Sequence, residues 1–393
     1  MANPSHRICS AGETFDRVSP FLLRLGITRL SRQTDLDRIG IPVWCAFAPN
    51  ARAIVIAQGK GLEDDAARTS AAMEAVERSV ATQPACSLIT DSVAGLEAKG
   101  MRADRLDGLV AAGKKPLAPD EVLQWVRAQH LLDDQPIWLP FDAVHLDRTE
   151  DDPRFWRSSD GLASGNTREE AVLHAVLERV ERDALTLWQI LPLHQRYARR
   201  IDHETLADDD LRALLAKTKA AELDIALFDI TTDLGIPCVA AVLGPAAGSA
   251  NAATRHVEVT LGCGCSLSPT GAAGRAVTEA IQSRMTFIAG ARDDLLPQMF
   301  EKVVAPETLA AFEAPRQIDL CELPFLHAAT AAEAVGVITS QLTSKGVGKL
   351  YAVDLAPDWL PAAVVKVIAP QLENPDGDRR VLFGARALSR ALA

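Results

Sequence analysis

The sequence predicts a mixed α/β fold in which mixed sheets are backed by three charged helices around a central cleft. Short runs of β-branched and aromatic residues alternate with Ala-rich helical segments along the 393 residues. Three helical segments carry acidic and basic groups on a stripe that would be apolar in a core helix. Hydrophobic residues make up 48% of the chain, which is enough for a sizeable core. We expect one continuous α/β unit.

A strand pair precedes the first charged helix. The apolar runs within residues 41–57 are separated by Pro49-Asn50, which predicts two strands joined by a turn. Lys60 then stands between two glycines and leads into an Ala-rich segment. This order of strand, Gly-Lys-Gly and helix suits phosphate binding at a helix start. The P-loop signature is incomplete, however, because Gly61 stands where Ser or Thr should follow the lysine.

The first charged helix presents four polar side chains on one face. At about 100° per residue, positions i, i+4, i+7 and i+8 of a helix project from a single stripe. A solvated face with a Glu/Arg ladder would give the same pattern, so this helix alone does not define a site. The four residues are Ser70, Glu74, Glu77 and Arg78.

The second charged helix repeats the spacing of the first. Glu178, Glu181 and Arg182 follow the ExxER pattern of residues 74–78, again in an Ala-rich segment. The recurrence favours one polar site built from several helices over a set of unrelated solvated faces.

Turn residues predict where the second charged helix begins. Asn166 lies in the turn, and Thr167 with Glu170 has the spacing of a capping box. His174 and Glu178 stand at i and i+4, as in some transition-metal sites. No third soft ligand is spaced to complete a zinc site, which favours a packed or hydrogen-bonded histidine. The oxygen-rich Glu, Asn and Gln groups suit magnesium better.

Glycines precede the third charged helix. The sequence GCGCSLSPTGAAG after Leu261 allows close approach of backbones. Cys263 and Cys265 are weak candidates for a nucleophile, because no histidine lies near them in the sequence, and buried thiols are favoured. The helix carries Arg275, Glu279, Gln282 and Arg284.

Charge and composition argue against several classes of protein. With 41 basic and 52 acidic residues, the net charge of −11 does not suit a protein whose main task is to neutralise nucleic-acid phosphates. No apolar run approaches the roughly 18 residues of a membrane span, and the N-terminus lacks the apolar centre of a signal peptide. The seven cysteines are odd in number and form no CxxC pair, as expected for reduced thiols. We therefore expect a cytoplasmic protein with no nucleic-acid or membrane partner.

Two further predictions concern segments outside the charged helices. Residues 118–132 are predicted to form a helix that serves as scaffold. The chain is predicted to end in a basic helical tail, for which solvation and contact with a partner or acidic peptide are alternatives. The basic residues of this tail are Arg379, Arg380, Arg386 and Arg390.

Taken together, the three blocks resemble the YcaO family. The matching segments are GKG followed by SAAMEAVER, then GLASGNTREEAVLHAVLERVERDA, then GCGCSLSPTGAAGRAVTEAIQSR. The segment GITRLSRQTDLDRIGIPVWCAFAPN also resembles the N-terminal part of members that work beside TfuA-type partner proteins. The resemblance spans nearly the whole chain and implies one YcaO domain over residues 1–393. We expect N-terminal strands and loops to about residue 60, a core at 61–290 and a C-terminal part at 291–393.

The resemblance implies an ATP- and Mg²⁺-dependent reaction on a peptide. YcaO proteins bind ATP and Mg²⁺ among three helices and phosphorylate a peptide amide oxygen, which turns a poor leaving group into phosphate. A nucleophile then adds. A Cys, Ser or Thr side chain of the substrate gives an azoline, external sulfide gives a thioamide, and an amine gives an amidine. Clustered carboxylates would repel the triphosphate unless metal ions stood between them.

By position in the matching motifs, the resemblance implies roles for twelve residues and leaves the general acid and base unassigned. Arginine suits phosphate because its forked donors bind phosphate oxygens bidentately. The implied magnesium ligands are Glu74, Glu77, Glu178 and Glu181. The implied phosphate or adenosine contacts are Lys60, Ser70, Arg78, Asn166, Arg182 and Arg284, with Glu279 and Gln282 as further members of the metal or nucleotide shell.

Two departures from azoline-forming members favour another product. Those members commonly end in a proline-rich PxPxP tail, whereas this chain ends ALSRALA, and we expect no precursor-binding domain fused in front of Met1. We therefore expect a stand-alone enzyme that acts with a separate TfuA-like partner and forms backbone thioamides rather than azolines. The resemblance is also compatible with a homodimer.

Two other classes of function would use the same residues. An ATP-dependent kinase or ligase for a small molecule would turn over without any peptide partner. A non-catalytic scaffold that presents a precursor peptide to another enzyme would tolerate Glu74→Ala and Glu178→Ala without loss of product. Against the scaffold, charged groups on three helices are costly to gather without a ligand. Against the small-molecule enzyme stands only the family resemblance.

Overall fold

The computed structural model describes residues 6–149, 153–155, 157–246, 253–374 and 383–392. Strands in these ranges form three sheets with α-helices packed on them, which confirms the predicted mixed α/β class. The strands are β1 (Arg29–Arg32), β2 (Val43–Phe47), β3 (Ile56–Lys60), β4 (Leu88–Asp91), β5 (Leu123–His130), β6 (Pro136–Pro140), β7 (Leu162–Gly165), β8 (Arg200–Ile201), β9 (Leu223–Asp229), β10 (Cys238–Pro245), β11 (Thr260–Cys265), β12 (Arg316–Ile318), β13 (Tyr351–Asp354) and β14 (Ala363–Ile368). The α-helices are α1 (Ala11–Val18), α2 (Asp64–Thr82), α3 (Val93–Ala98), α4 (Arg168–Gln189), α5 (Leu193–Arg196), α6 (Asp209–Ala220), α7 (Pro269–Ala289), α8 (Pro297–Glu301), α9 (Pro306–Glu313), α10 (Ala331–Ser344) and α11 (Ala385–Leu392).

Each charged helix follows a strand of a different sheet. Strand β3 leads to α2 in the sheet of order β1-β2-β3, and β11 leads to α7 in the sheet of order β11-β10-β9-β8-β12. Strand β7 leads to α4 in the sheet of order β4-β5-β13-β14-β7, where β6 also pairs with β5. Each of the three leading strands pairs antiparallel with one neighbour, β2, β10 or β14. Helix α2 also contacts β7, and α7 also contacts β3, so the three units meet.

Glycines allow two of these strands to lie directly on their helices. A Cβ on Gly59 would lie 2.0 Å from Ala71 N of α2, and a Cβ on Gly262 would lie 2.1 Å from Ala276 O of α7. Both distances are far below van der Waals contact, so any larger residue would push strand and helix apart. The Gly-Lys-Gly and Gly-Cys-Gly-Cys sequences therefore serve close packing.

The strand pair predicted within residues 41–57 is confirmed, and the helix predicted at 118–132 is wrong. Strands β2 and β3 pair antiparallel from Val43↔Lys60 to Phe47↔Ile56. The second segment forms β5, which pairs with β4, β6 and β13. Pairing on both edges buries the Trp125 side chain completely, and this outweighs the helix propensity of the neighbouring Ala, Leu and Gln residues.

The start of α4 is predicted correctly, although only half of the capping box forms. Thr167 Oγ1 accepts a hydrogen bond from Glu170 N at 3.2 Å. The Glu170 carboxylate accepts instead from Ile8 N at 2.6 Å and from Asn166 N at 2.9 Å. The hydrogen bond from Ile8 N fixes the N-terminal segment across the start of α4.

Part of the basic tail is hydrogen-bonded to other segments of the same chain. Arg379 and Arg380 lie outside the described residues. Arg386, on α11, bonds to Asp183 and Asp233 within the chain, so neither solvation nor a partner occupies this guanidinium. Arg390, one turn later, is exposed.

In the described ranges, no helix combines the length and the apolar character needed to cross a bilayer. The divisions expected near residues 60 and 290 stay predictions. The first falls at the end of β3, and the second falls just after α7.

Candidate functional site

The charged stripe of α2 reaches two strands. Arg78 Nη2 lies 2.5 Å from Glu74 Oε1, and Arg78 Nη1 donates to the Ile56 carbonyl at 2.9 Å. Ser164 Oγ of β7 donates to Glu77 Oε1 at 2.6 Å. The helix is thereby tied both to its own strand and to the strand that leads into α4.

The two predicted glutamates of α4 accept backbone amides from two different sheets. Gly161 N, just before β7, donates to Glu178 Oε2 at 3.0 Å. Cys265 N, at the end of β11, donates to Glu181 Oε2 at 3.0 Å. Helix α4 is therefore held between the six-stranded and the five-stranded sheets.

Arg182 lies between these glutamates. Its Nη2 is 3.4 Å from Glu178 Oε1 and 3.6 Å from Glu181 Oε1, and its Nε is 3.6 Å from Asp160 Oδ1. Burial alone would lower the pKa of Arg182, but the surrounding glutamates outweigh burial and raise it. Among the described residues, Arg182 Nε is buried without a hydrogen-bond partner and faces Asp160 beyond hydrogen-bond distance.

Helix α7 is tied to the first sheet. Lys60 Nζ lies 2.8 Å from Glu279 Oε2, and Gln282 Nε2 donates to the Gln58 carbonyl at 2.7 Å. Burial tends to raise the pKa of Glu279, but Lys60 and Arg182 outweigh it and hold that pKa below its ordinary value. Lys60 and Glu279 are therefore a charged pair that joins the Gly-Lys-Gly segment to the third charged helix.

Two predicted residues are placed differently. Arg284 Nε lies 3.5 Å from Asp37 Oδ2, so this arginine faces a buried aspartate that precedes β2. Ser70 is half-buried on α2, one turn before Glu74. Contact of Arg284 and Ser70 with a nucleotide stays a prediction.

The glutamates of the three helices act electrostatically as one group. Burial, with contributions from Glu74 and Glu178, raises the pKa of Glu77 to about 8. Burial likewise raises the pKa of Glu178 to about 7, with Glu181 adding to the effect. Burial and Glu279 raise the pKa of Glu181. We define the acidic cluster as Glu74, Glu77, Glu178, Glu181 and Glu279.

The acidic cluster suits Mg²⁺ that is shared with phosphate. Among the described residues, no three His, Cys, Asp or Glu side chains are grouped as in a preformed metal cage. Glu77 and Glu181 each accept a bond at one oxygen, whereas Glu178 accepts at both, from Gly161 N and from Arg182 Nη2. Mg²⁺ typically takes one or two carboxylates together with phosphate oxygens and water. A divalent cation would also favour the ionised form of carboxylates whose pKa burial raises.

Three further residues, to which sequence reasoning gave no role, lie beside the acidic cluster. Asp160 faces Arg182, as described above. Arg275 stands one turn before Glu279 and is electrostatically coupled to it, a link that the i, i+4 spacing could have indicated. Burial and the nearby Arg275 lower the pKa of Arg7, which lies in the N-terminal segment and carries no motif. In the described part of the chain, neither Arg7 nor Arg275 is ion-paired.

Asn166 lies where the N-terminal segment crosses the start of α4. Its Nδ2 donates to Thr14 Oγ1 at 3.0 Å and to Glu170 Oε2 at 3.2 Å. Arg17 Nη1 donates to Asn166 Oδ1 at 3.3 Å. This amide therefore links α1 to α4, and its contact with a nucleotide stays a prediction.

His174 lies one turn after Glu170 on α4. Burial, together with Arg7 and Arg275, lowers the pKa of His174 well below its ordinary value. The imidazole is therefore neutral near neutral pH. Cys263 and Cys265 are both buried on β11, and burial raises the pKa of Cys263, which agrees with the buried-thiol interpretation.

A concave pocket of about 520 Å³ lies on the six-stranded sheet. Its lining includes Cys86, Arg127, Arg168 and Asp354. None of the twelve residues to which the family resemblance gives a role is among the described residues that line this pocket. Arg168 Nε donates to Asp354 Oδ1 at 2.7 Å, and burial raises the pKa of Cys86 to about 11. The acidic cluster is the candidate functional site, because there the charged groups of three helices converge.

A family model described as YcaO cyclodehydratase, ATP- and Mg²⁺-binding, matches residues 58–373. The chain belongs to the YcaO family. ATP and Mg²⁺ are therefore the cofactors of this YcaO domain, as predicted. The coarser functional prediction, ATP- and Mg²⁺-dependent modification of a peptide backbone, is confirmed at the level of the family.

Relatives and solved structures agree with this assignment. The YcaO protein is 37% identical over 397 residues to an uncharacterized protein in the tfuA 3′ region of Rhizobium leguminosarum bv. trifolii, with 98% of this chain and 92% of the relative covered. Its fold is similar to that of YcaO from Methanopyrus kandleri bound with AMPPCP and Mg²⁺, with a TM-score of 0.75, 22% identity and 98% of each chain covered. A heterocyclase in complex with substrate and cofactor gives a TM-score of 0.77 at 21% identity over 96% of this chain. The chain spans 54% of that heterocyclase.

Proposed function

We propose that this YcaO protein converts a backbone amide of a peptide or protein into a thioamide, using ATP and Mg²⁺ and a separate TfuA-like partner. The observation that carries the proposal is the acidic cluster, whose buried glutamates from three helices surround Arg182. Such a cluster is costly to bury unless bound cations balance it. The relative in the tfuA 3′ region supports the partner and the thioamide product.

The proposed reaction balances without an oxidant or reductant. The amide oxygen attacks the γ-phosphorus of ATP, and ADP leaves. Sulfide then adds to the activated carbon, the bond from carbon to the phosphorylated oxygen breaks, and sulfur remains as the thiocarbonyl. The hydrosulfide proton leaves with phosphate, so amide, ATP and HS⁻ give thioamide, ADP and HPO₄²⁻.

The acidic cluster would hold the metal. Glu74, Glu77, Glu178 and Glu181 are the proposed ligands, and the bonds that Glu77 and the α4 glutamates accept from the protein fix their orientation. Bound Mg²⁺ shields the carboxylates from the triphosphate and stabilises the charge on the phosphoryl group that is transferred. Lys60 holds Glu279 at the edge of this group.

Arginines would hold the phosphates. Arg182 Nε is buried with no hydrogen-bond partner among the described residues and faces Asp160 Oδ1 at 3.6 Å, and Arg7 and Arg275 repel each other. Guanidinium groups so placed gain most from a polyanion with oxygens for bidentate bonds. Because these groups are positioned before the reaction begins, they contribute to positioning and charge stabilisation.

The alternative product is an azoline. The description of the matching family model as a cyclodehydratase and the likeness to a heterocyclase favour it. In that case a Cys, Ser or Thr side chain of the substrate replaces sulfide as the nucleophile, and the peptide loses water overall.

Mass spectrometry of peptides from the native host distinguishes these products. The comparison is between cells with the wild-type gene, cells without it, and cells with the Glu178→Gln variant. A peptide in which sulfur replaces oxygen, present only with the wild-type gene, is the expected result. Loss of water would establish the azoline alternative, and no change in any peptide or protein would contradict both.

A further inference from the structure

The C-terminal helix α11 is bonded to the helix that carries the α4 glutamates. Arg386 Nε donates to Asp183 Oδ1 at 2.9 Å, and Arg386 Nη2 donates to Asp183 Oδ2 at 2.9 Å. Asp183 directly follows Arg182 in the sequence, and its side chain is fully buried. Arg386 also donates to Asp233 Oδ1 at 2.7 Å, which completes a forked arrangement of one guanidinium and two carboxylates.

Glu373 joins the same two helices from a second direction. Its backbone N donates to Asp183 Oδ1 at 2.9 Å. Its carboxylate accepts from Gly384 N and Ala387 N, both at 2.9 Å, and so satisfies free amides at the start of α11. Arg179 Nη2 of α4 donates to the Glu373 carbonyl at 2.9 Å.

The contacts continue from α11 to the acidic cluster. Arg179 Nη1 lies 4.0 Å from Asp160 Oδ2, and Asp160 Oδ1 lies 3.6 Å from Arg182 Nε. Arg182 in turn lies between Glu178 and Glu181. A contiguous series of buried or half-buried charges therefore leads from the C-terminal helix to the proposed metal ligands.

Loss of Arg386 would unbalance this series. Asp183 would remain buried without its bidentate partner, and Arg179 is the cation of α4 that already interacts with it. Movement of Arg179 toward Asp183 would leave Asp160 free to compete with Glu178 and Glu181 for Arg182. The cluster would then lose the cation that balances it before any nucleotide arrives.

We infer that Arg386 is a positioning residue for the nucleotide site, acting through Asp183 and Glu373 on the arginines and glutamates of α4. The inference rests on the proposed role of the acidic cluster. It gives the C-terminal helix a function in the reaction beyond closing the chain. As a positioning residue, Arg386 itself does not touch substrate or nucleotide.

Calorimetric titration with Mg·AMPPCP tests the inference in the full chain. Arg386→Gln and Asp183→Asn should each weaken binding about tenfold. The double variant should bind no more weakly than the weaker single variant, because the two groups act as a unit. Arg390→Gln, an exposed arginine on the same helix, is the matched control and should bind within about twofold of wild type.

A second readout separates positioning from stability alone. The Mg²⁺ concentration that gives half-maximal AMPPCP binding should rise in Arg386→Gln, whereas a helix that only stabilised the fold would leave it unchanged in the folded variant. If Arg386→Gln does not fold, Arg386→Lys decides. Lysine keeps the charge but lacks the planar fork that bonds two carboxylates. The affinity of Arg386→Lys for Mg·AMPPCP should therefore also fall.

The outcomes distinguish this inference from the proposed function. Wild-type affinity and an unchanged Mg²⁺ midpoint in a folded Arg386→Gln or Arg386→Lys variant would overturn the positioning role and leave the proposed function intact. Failure of the wild-type protein to bind Mg·AMPPCP, both alone and with a TfuA-type partner present, would overturn the proposed function and the inference together.

Discussion

Lys60 Nζ at the end of β3 lies 2.8 Å from Glu279 Oε2 in α7, although the two residues are 219 positions apart. Ser164 of β7 makes a comparable contact with Glu77 of α2. Each contact crosses from the strand of one unit to the helix of another. The acidic cluster is therefore held together by the same contacts that hold the three β–α units together.

Lys60→Met should lower the free energy of unfolding by about 1–3 kcal/mol, because Glu279 would lose the cation that is hydrogen-bonded to it in a partly buried place. Lys60 holds the pKa of Glu279 below its ordinary value, so the stabilisation is present above that value and is lost as the pH falls through the folded-state pKa. Urea denaturation at neutral and acidic pH measures both effects. A Lys60→Met/Glu279→Leu variant should be less destabilised than Lys60→Met. If Lys60→Met had the same free energy of unfolding as wild type, the Lys60–Glu279 pair would not stabilise the fold.

Glu77→Gln should make the free energy of unfolding of the metal-free protein depend less on pH. The folded-state pKa of about 8 lies above the ordinary value of 4.5, so the folded state holds an extra proton between these values. Stability should therefore fall as the pH rises through this range, by at most about 1.4 kcal/mol per pH unit, and the uncharged amide should remove that loss. Denaturation at pH values across the range measures the slope. The exposed Glu97→Gln is the control, and the same slope in Glu77→Gln as in wild type would contradict the prediction.

Binding of Mg·AMPPCP should release protons at neutral pH. Glu77 and Glu178, with pKa values of about 8 and about 7, must lose protons to face a divalent cation. Calorimetry in buffers with different ionisation enthalpies counts the protons. Glu77→Gln should release fewer than wild type, and proton uptake by the wild-type protein would show that the carboxylates do not meet the metal.

Arg7→Gln should weaken Mg·AMPPCP binding about tenfold with little change in the stability of the free protein. The substitution removes a cation that Arg275 repels and Glu170 attracts, so these two effects on the free protein oppose each other, whereas the triphosphate loses a donor. Titration with adenosine is the control, since adenosine has no phosphate and should be unaffected. An equal loss of affinity for adenosine would place Arg7 away from the phosphates.

The helical part of the site can be predicted from the sequence because its spacing is local. The positions of Glu74, Glu77 and Arg78 on one stripe follow from helical geometry alone. Glycines such as Gly59 also mark where a strand lies on a helix, since nothing larger fits. The joint environment of the α4 glutamates could be anticipated only from the repeated ExxER pattern.

The rest depends on contacts between distant segments. Ile8 reaches Glu170 over 162 positions and Arg386 reaches Asp183 over 203, and neither contact leaves a motif in the sequence. Strand β5 could not be predicted from the sequence either. Its residues are compatible with a helix or a strand, and its partner strands come from three separate segments. Tertiary pairing decided the outcome there.

The most direct test of the central claim is calorimetric titration of the wild-type protein and a Glu74→Gln/Glu178→Gln variant with AMPPCP, with and without Mg²⁺. We expect saturable, Mg²⁺-dependent binding to wild type and its loss in the variant, with thermal unfolding confirming that both are folded. Equal binding by the two proteins would remove the acidic cluster from the nucleotide site. Absence of binding by wild type, even with a TfuA-type partner present, would contradict the proposed enzymatic function altogether.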